Sequence, residues 1–341
     1  MPEWTHVHAL LRRIAGEPGI ARFAGAPMTL PLPRLPRPHW LMMLLILCAA
    51  PATALEPVPV ARDVYAFIGA LDEASSANAG FTGNAGFIVA RDGIIVVDTG
   101  GSYRLGRAML RAIRRVSDKP VALVVNTHAV QDFLFGNAVF ADLGAPLLTH
   151  RRSAQLMRER CAHCLENLRL LLGAQAMRGT RLVVPARLVD GSQIVRVAGR
   201  ELELLHFGWG ATPGDLVVLD RRSGIAFGGG LVSIGRVPET RDGRLPQWIT
   251  ALDAVARLPA RQVIPGHGPV ADIAEVRRTR AYLSDLDALA RRLYDEGLSL
   301  LEALDRSDLP AYRDWGAYAS VHRRNVQQRY LELELADLDG R

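Results

Sequence analysis

Asn126-Thr127-His128-Ala129-Val130-Gln131-Asp132-Phe133-Leu134-Phe135-Gly136-Asn137 is the stretch on which the reading of this chain turns. It follows Val121–Val125, a continuous apolar run of the kind expected for a strand covered on both faces. It carries a histidine and an aspartate four residues apart, then runs into a predicted helix from about Asp132 to Leu143.

Upstream, Tyr65–Gly69, Gly86–Ala90 and Gly93–Asp98 read as strands, being short, rich in Val, Ile and Phe, and bounded by turn residues. Gly93 makes Arg91-Asp92-Gly93 a hairpin turn, because glycine accepts positive φ. Leu105, Met109, Leu110 and Ile113 have helical apolar spacing over residues 103–117. Downstream, a strand at Pro146–Thr149 leads into a long helix over 151–173. Strands are expected at Leu182–Val184, Gln193–Val197, Leu202–Leu205, Leu216–Leu219 and Ile225–Gly228. A helix over Leu245–Leu258 precedes Gln262–Ile264, read as the last strand, and helices fill 273–295 and about 316–337. Two runs of strands followed by helices suggest two sheets face to face with helices outside.

Four further segments accompany the first. Gly83-Asn84-Ala85-Gly86-Phe87-Ile88-Val89 through Ile95-Val96-Val97-Asp98-Thr99-Gly100 opens the set. Gly210-Ala211-Thr212-Pro213-Gly214-Asp215, Ala226-Phe227-Gly228-Gly229-Gly230-Leu231-Val232 and Val263-Ile264-Pro265-Gly266-His267-Gly268 complete it. In this order, over residues 60–270, the five segments resemble the metallo-β-lactamase-fold metallohydrolase superfamily. The resemblance implies an α/β protein with a four-layer αββα sandwich, two mixed sheets packed face to face and helices outside.

That family holds two zinc ions about 3.5–4 Å apart, which clamp a hydroxide and a substrate oxygen. Its ligands come from a His-x-His-x-Asp-His loop, a Gly-His-Thr-Pro-Gly-Asp turn, a Phe-x-Gly-Asp strand end and a closing histidine. Carried over residue by residue, the resemblance leaves His128, Asp132 and His267 as candidate metal ligands, with Asp132 also the candidate catalytic residue. The other four positions read Val130, Phe133, Ala211 and Gly230. A catalytic zinc keeps at least three protein ligands. The expectation is therefore no cofactor, or one divalent metal, zinc by resemblance, held as in a two-His, one-carboxylate set.

Three functions follow as expectations. The first is a protein that binds a small molecule or a periplasmic partner in the old cleft without dinuclear hydrolysis, in effect a pseudoenzyme. The second is a mononuclear metallohydrolase acting on an ester, thioester or lactam. The third is an accessory structural partner of a periplasmic quinoprotein system. The closing segment His322-Arg323-Arg324-Asn325-Val326 to Tyr330-Leu331-Glu332-Leu333-Glu334 is similar to the tail of exported proteins of that kind.

Cys161-Ala162-His163-Cys164 falls inside the long predicted helix, where residues three apart share a face. A lone cysteine pair in an oxidising compartment is expected to form a disulfide. A thioredoxin-like catalyst places such a pair at a helix start, and here the helix is predicted to begin near Ser153. Metal binding by Cys161, His163 and Cys164 lacks a visible fourth ligand. Asp98 is expected to be buried and to accept loop N–H bonds, and Thr212 and Asp215 to fix the turn through Gly214. His150 is expected to cap or pack at the start of the long helix. His206 is expected at a strand end with a backbone partner, and His322 at the surface.

Residues 1–54 read as an extension and a secretory signal peptide. Arg34 and Arg37 precede the apolar run Trp40–Ala50, which is too short to span a bilayer, and Ala52-Thr53-Ala54 supplies the cleavage pattern. The mature domain is then 55–341, periplasmic or secreted, with no membrane segment after cleavage. Removing five Arg and two acidic residues lowers the net charge from +6 to +3, with 36 basic against 33 acidic side chains. No basic stripe with interleaved aromatics is present, which excludes nucleic acid as an expected partner.

Overall fold

The computed structural model of the protein describes residues 55–339; the expected signal peptide lies outside them. The first sheet has seven strands side by side in chain order. They are β1 (Val58–Ala61), β2 (Val64–Phe67), β3 (Ala85–Val89), β4 (Ile94–Val97), β5 (Val121–Val125), β6 (Leu147–His150) and β7 (Arg187–Val189). The first four pair antiparallel and the last four parallel. The second sheet contains β8 (Gln193–Val197), β9 (Arg200–Leu205), β10 (Val217–Asp220), β11 (Ile225–Ser233), β12 (Gln262–His267) and β13 (Ala271–Asp272). Its strand order is 13-12-11-10-9-8. Only the β11–β12 pair in it is parallel.

Side-chain alternation builds the layers. In β4, Ile95 and Val97 point to the second sheet, where they meet Leu204, Val218, Phe227 and Ile264. Ile94 and Val96 point outward, against α1 (Tyr103–Val116) and α3 (Asn137–Asp142). In β10 the same period sends Val218 inward and Val217 and Leu219 outward. The outward face is covered by α5 (Leu245–Val255), α6 (Val276–Asp295), α7 (Leu300–Asp305) and α8 (Arg323–Asp339). These layers are the expected αββα sandwich.

Several predicted elements differ in detail. The single helix expected after Asp132 is two, α2 (Gln131–Leu134) and α3, broken at Gly136. A Cβ at Gly136 would collide with the Thr99 carbonyl, so the chain there is pressed against the turn after β4. Leu182–Val184 forms no strand; its pairing place beside β6 is taken by Arg187–Val189. Ile264 does not close the last strand, because β12 runs on to His267 and a two-residue β13 follows. Short β1 and α7 were not expected from the sequence. The long helix α4 runs Arg151–Leu172 and begins two residues before Ser153.

Candidate functional site

The candidate residues sit where the parallel strands end, at the edge shared by the two sheets. Asp98 follows β4, His128 follows β5 and His267 ends β12. Asp98 has a left-handed backbone, φ 58°, a strained state for a residue with a Cβ. Its carboxylate accepts the Thr127 backbone N–H at 2.9 Å and the Thr127 hydroxyl at 2.7 Å. This is the loop-pinning role expected of it. Burial pushes its pKa up to about 7. The Thr127 oxygen also lies 2.7 Å from His128 Nδ1. With the hydroxyl hydrogen given to Asp98, His128 Nδ1 must be the donor to Thr127, which fixes its tautomer. Burial lowers the His128 pKa to about 3, so the ring is neutral.

Thr82 joins the other two. Its hydroxyl donates to Asp132 Oδ2 at 2.7 Å, and its carbonyl accepts His267 Nδ1–H at 3.0 Å. Asp132 is buried, which raises its pKa, while Arg236 works in the opposite direction. Asn84 fixes the His267 loop from across the sheets. Its amide donates to Pro265 O at 2.8 Å and Gly268 O at 2.7 Å, and its own carbonyl accepts Gly69 N–H.

The structure therefore brings His128, Asp132 and His267 into one region, but Phe133 stands between the imidazoles. Its ring centroid is 4.3 Å from that of His128 and 5.2 Å from that of His267. Gly83 makes room for it, since a Cβ there would come within 2.8 Å of the ring. At Gly230 a Cβ would lie 2.6 Å from the His128 ring, so the backbone leaves no space for a side chain. Among the described residues, no group of three His, Cys, Asp or Glu side chains is arranged to hold a metal ion. The residues present do not fit the family's two-zinc centre.

A cavity of about 780 Å³ opens over this region. Asp132, Gly230 and His267 line its floor, and Arg236 and the exposed side of α4 line its walls. Arg236 is 3% exposed and donates Nε–H to Leu71 O at 3.0 Å. Three other arginines of the lining are ion-paired: Arg324 with Glu73 at 2.5 Å, Arg160 with Asp242, and Arg241 with Glu239 at 3.9 Å. No carboxylate pairs with Arg236 among the described residues. Nothing in the sequence singles it out; its role depends on the loop after β11 folding back beside Leu71.

The chain matches the model of the metallo-beta-lactamase superfamily over residues 79–267. It belongs to that superfamily. Among curated proteins it is similar to a linear primary-alkylsulfatase of Pseudomonas sp. (strain ATCC 19151), 24% identical over an alignment of 290 residues that covers 72% of this chain. It spans only 55% of that relative's length. Among solved structures it resembles a metallo-beta-lactamase from Pontibacter korlensis, with TM-score 0.55 and 22% identity over 67% of this chain and 99% of the other. It also resembles a stereoselective inverting sec-alkylsulfatase from Pseudomonas sp., with TM-score 0.63 and 19% identity over 82% of this chain and 50% of the other. At these identities the structural likenesses establish the fold.

The remaining expectations divide. His150 caps α4 by accepting the Arg152 N–H and stacks on His206, whose Nδ1 meets Asp215 O at 2.9 Å. Thr212 donates both N–H and hydroxyl to Asp215, fixing the turn. His322 is not at the surface: it is 2% exposed, with Nε2 on Ser307 O and Nδ1 3.0 Å from the Tyr282 hydroxyl. It sits on a π-helical turn (Tyr318–His322) before α8, which rotates it inward from the face that a plain helix predicts. Cys161 and Cys164 are free thiols, so the expected disulfide is not formed here. No helix among the described residues is long and apolar enough to cross a membrane.

Proposed function

We propose that this member of the superfamily binds a small molecule in the cavity over Asp132 and His267 without dinuclear zinc hydrolysis. The observation that carries this reading is the Phe133 ring between His128 and His267. An aromatic ring in that place fills the space in which an inner ligand would stand, and Gly230 has no room for a carboxylate. Arg236 speaks for the ligand's charge. A buried guanidinium with no ion-paired carboxylate, acted on only from a distance by Asp132 and Glu73, favours an anionic group, such as a carboxylate or a sulfate ester. Export to the periplasm, from the signal-like segment before residue 55, belongs to the same reading. The alternative occupant is a periplasmic protein, and the tail segment suggests a quinoprotein.

The test is elemental analysis of the purified protein beside a His128→Ala variant, with calorimetric titration of a short alkyl sulfate and of the parent alcohol. A metal-free folded protein that prefers the sulfate, and loses that preference in Arg236→Gln, supports the reading. A near-stoichiometric metal that disappears in His128→Ala, with chelator-sensitive ester hydrolysis, would replace it with the mononuclear metallohydrolase.

A further inference from the structure

Helix α4 presents Cys161 and Cys164 to the same cavity as Asp132 and His267. Neither thiol belongs to the family's ligand set described above. Residues three apart on an α-helix have Cα atoms about 5 Å apart. That separation lies inside the roughly 4.4–6.8 Å that a disulfide spans. The two thiols are close enough for each to shift the other's ionisation.

Their exposure differs in an ordered way. Cys161 is 1% exposed and packs with Met157, Leu165 and Leu168. Cys164 is half-buried and faces the cavity. A solute in the cavity meets Cys164 first. The neighbouring Cys161 thiol lowers the Cys164 pKa, Arg241 adds to this, and burial and Asp242 oppose it. The Cys164 neighbour, together with burial, raises the Cys161 pKa. Of the two, the cavity-facing sulfur is the one more readily ionised. A thiolate is the form that attacks a disulfide.

The geometry points to a thiol–disulfide exchange site in the cavity wall, in which Cys164 attacks a small organic disulfide and Cys161 resolves the adduct. In the first step the Cys164 thiolate attacks one sulfur of R–S–S–R. That S–S bond breaks, one RS⁻ leaves and takes a proton from water, and a Cys164–S–S–R mixed disulfide remains. In the second step Cys161 loses its proton to solvent and attacks Cys164 Sγ. The second RS⁻ leaves and is protonated, and the Cys161–Cys164 disulfide forms. The small disulfide gains two electrons and the cysteine pair loses two. Cys161 is the eleventh residue of α4, so no helix N-terminus assists a return reaction. The pair therefore takes one exchange per reduction and acts as a modification site, not as a turnover catalyst. A bond formed inside a helix is of the labile kind that reductants reopen.

The test uses the reduced full-length protein, oxidised glutathione, an acid quench and tryptic peptide mapping. Arg160 and Arg169 bound a peptide that holds both cysteines, and Cys48 lies in another. The expected product in the wild-type peptide is an internal disulfide, two hydrogens lighter, with no lasting glutathione adduct. Cys161→Ser should trap glutathione on Cys164. Cys164→Ser should react at least tenfold more slowly than Cys161→Ser. Should either serine variant fail to fold by circular dichroism, the alanine variant takes its place. A wild-type peptide that stays reduced, or equal reaction of the two single variants, overturns the assignment. The outcome does not depend on which ligand the cavity binds.

Discussion

Gly230 approaches His128 so closely that a Cβ on it would stand 2.6 Å from the imidazole Cδ2. The backbone at 230 is not in the left-handed region, so its glycine serves space and not conformation. His128 is 1% exposed and is held through Thr127 to Asp98, and cannot swing away cheaply. Gly230→Ala should therefore cost about 1–3 kcal/mol, the range for overpacking a filled interior. Urea unfolding of the variant against the wild type measures it. A neutral result would mean that the His128 ring moves freely, and the closed floor of the cavity would then be wrong.

Phe133 is the second obstacle, and it can be replaced by a ligand. Phe133→His would set a third imidazole beside His128 and His267, and three protein donors are the minimum of a catalytic zinc site. Zinc content after dialysis against the same free zinc should rise well above that of the wild type. Loss of burial should lower stability at the same time, by up to about 3 kcal/mol without zinc. Elemental analysis and thermal melts with and without zinc separate the two effects. Unchanged zinc content would show that Val130, Ala211 and Gly230 matter more than the ring.

The fold was legible because its signals are repeated. Short runs rich in Val, Ile and Phe, bounded by turn residues, mark β3 and β4, and continuous apolar residues mark β5 and β10. His128 and His267 could be placed from sequence because one follows and the other ends a strand with a clear apolar pattern, and Asp132 because it lies four residues after His128, on α2. What remained hidden depends on contacts between distant segments. Phe133 could be read as filling a lost ligand position, but the sequence does not show that Gly83 makes room for its ring beside both imidazoles. Arg236 is one arginine among many until the other lining arginines are seen to be paired. The cysteines give their spacing in sequence, but not that their helix face forms the cavity wall. His322 was misread because nothing local marks a π turn.

Asn84 ties the opening hairpin to the His267 loop, and its removal should loosen that loop in particular. Asn84→Ala would leave the Pro265 and Gly268 carbonyls and the Gly69 N–H without their partner in a buried place. Unsatisfied buried groups cost about 1–3 kcal/mol each before water or relaxation offsets them. We expect a loss of about 3 kcal/mol or more. Amide exchange should rise at residues 266–268 and stay near wild type in α6. Uniform acceleration across the molecule would show that Asn84 contributes to global stability without a local role.

His322 links the protein's stability to acid. It is buried at the end of the π turn that precedes α8, and burial lowers its pKa, against smaller opposing effects of Ser307 O and Asp308. In the unfolded chain a histidine takes up a proton near pH 6.5. The folded ring resists the proton until lower pH, so the unfolded state binds more protons over that interval. Stability from this residue is then full above about pH 6.5 and is lost as pH falls toward the folded value, at no more than about 1.4 kcal/mol per pH unit. His128 and His267 act in the same direction, so the wild type alone does not isolate His322. His322→Gln does. Its amide can donate to Ser307 O and its carbonyl can accept from Tyr282, without a titrating group. Urea unfolding between pH 7.5 and about pH 5 should give a shallower decline for the variant. Parallel declines would show that His322 titrates alike in both states, and that its burial carries no electrostatic consequence.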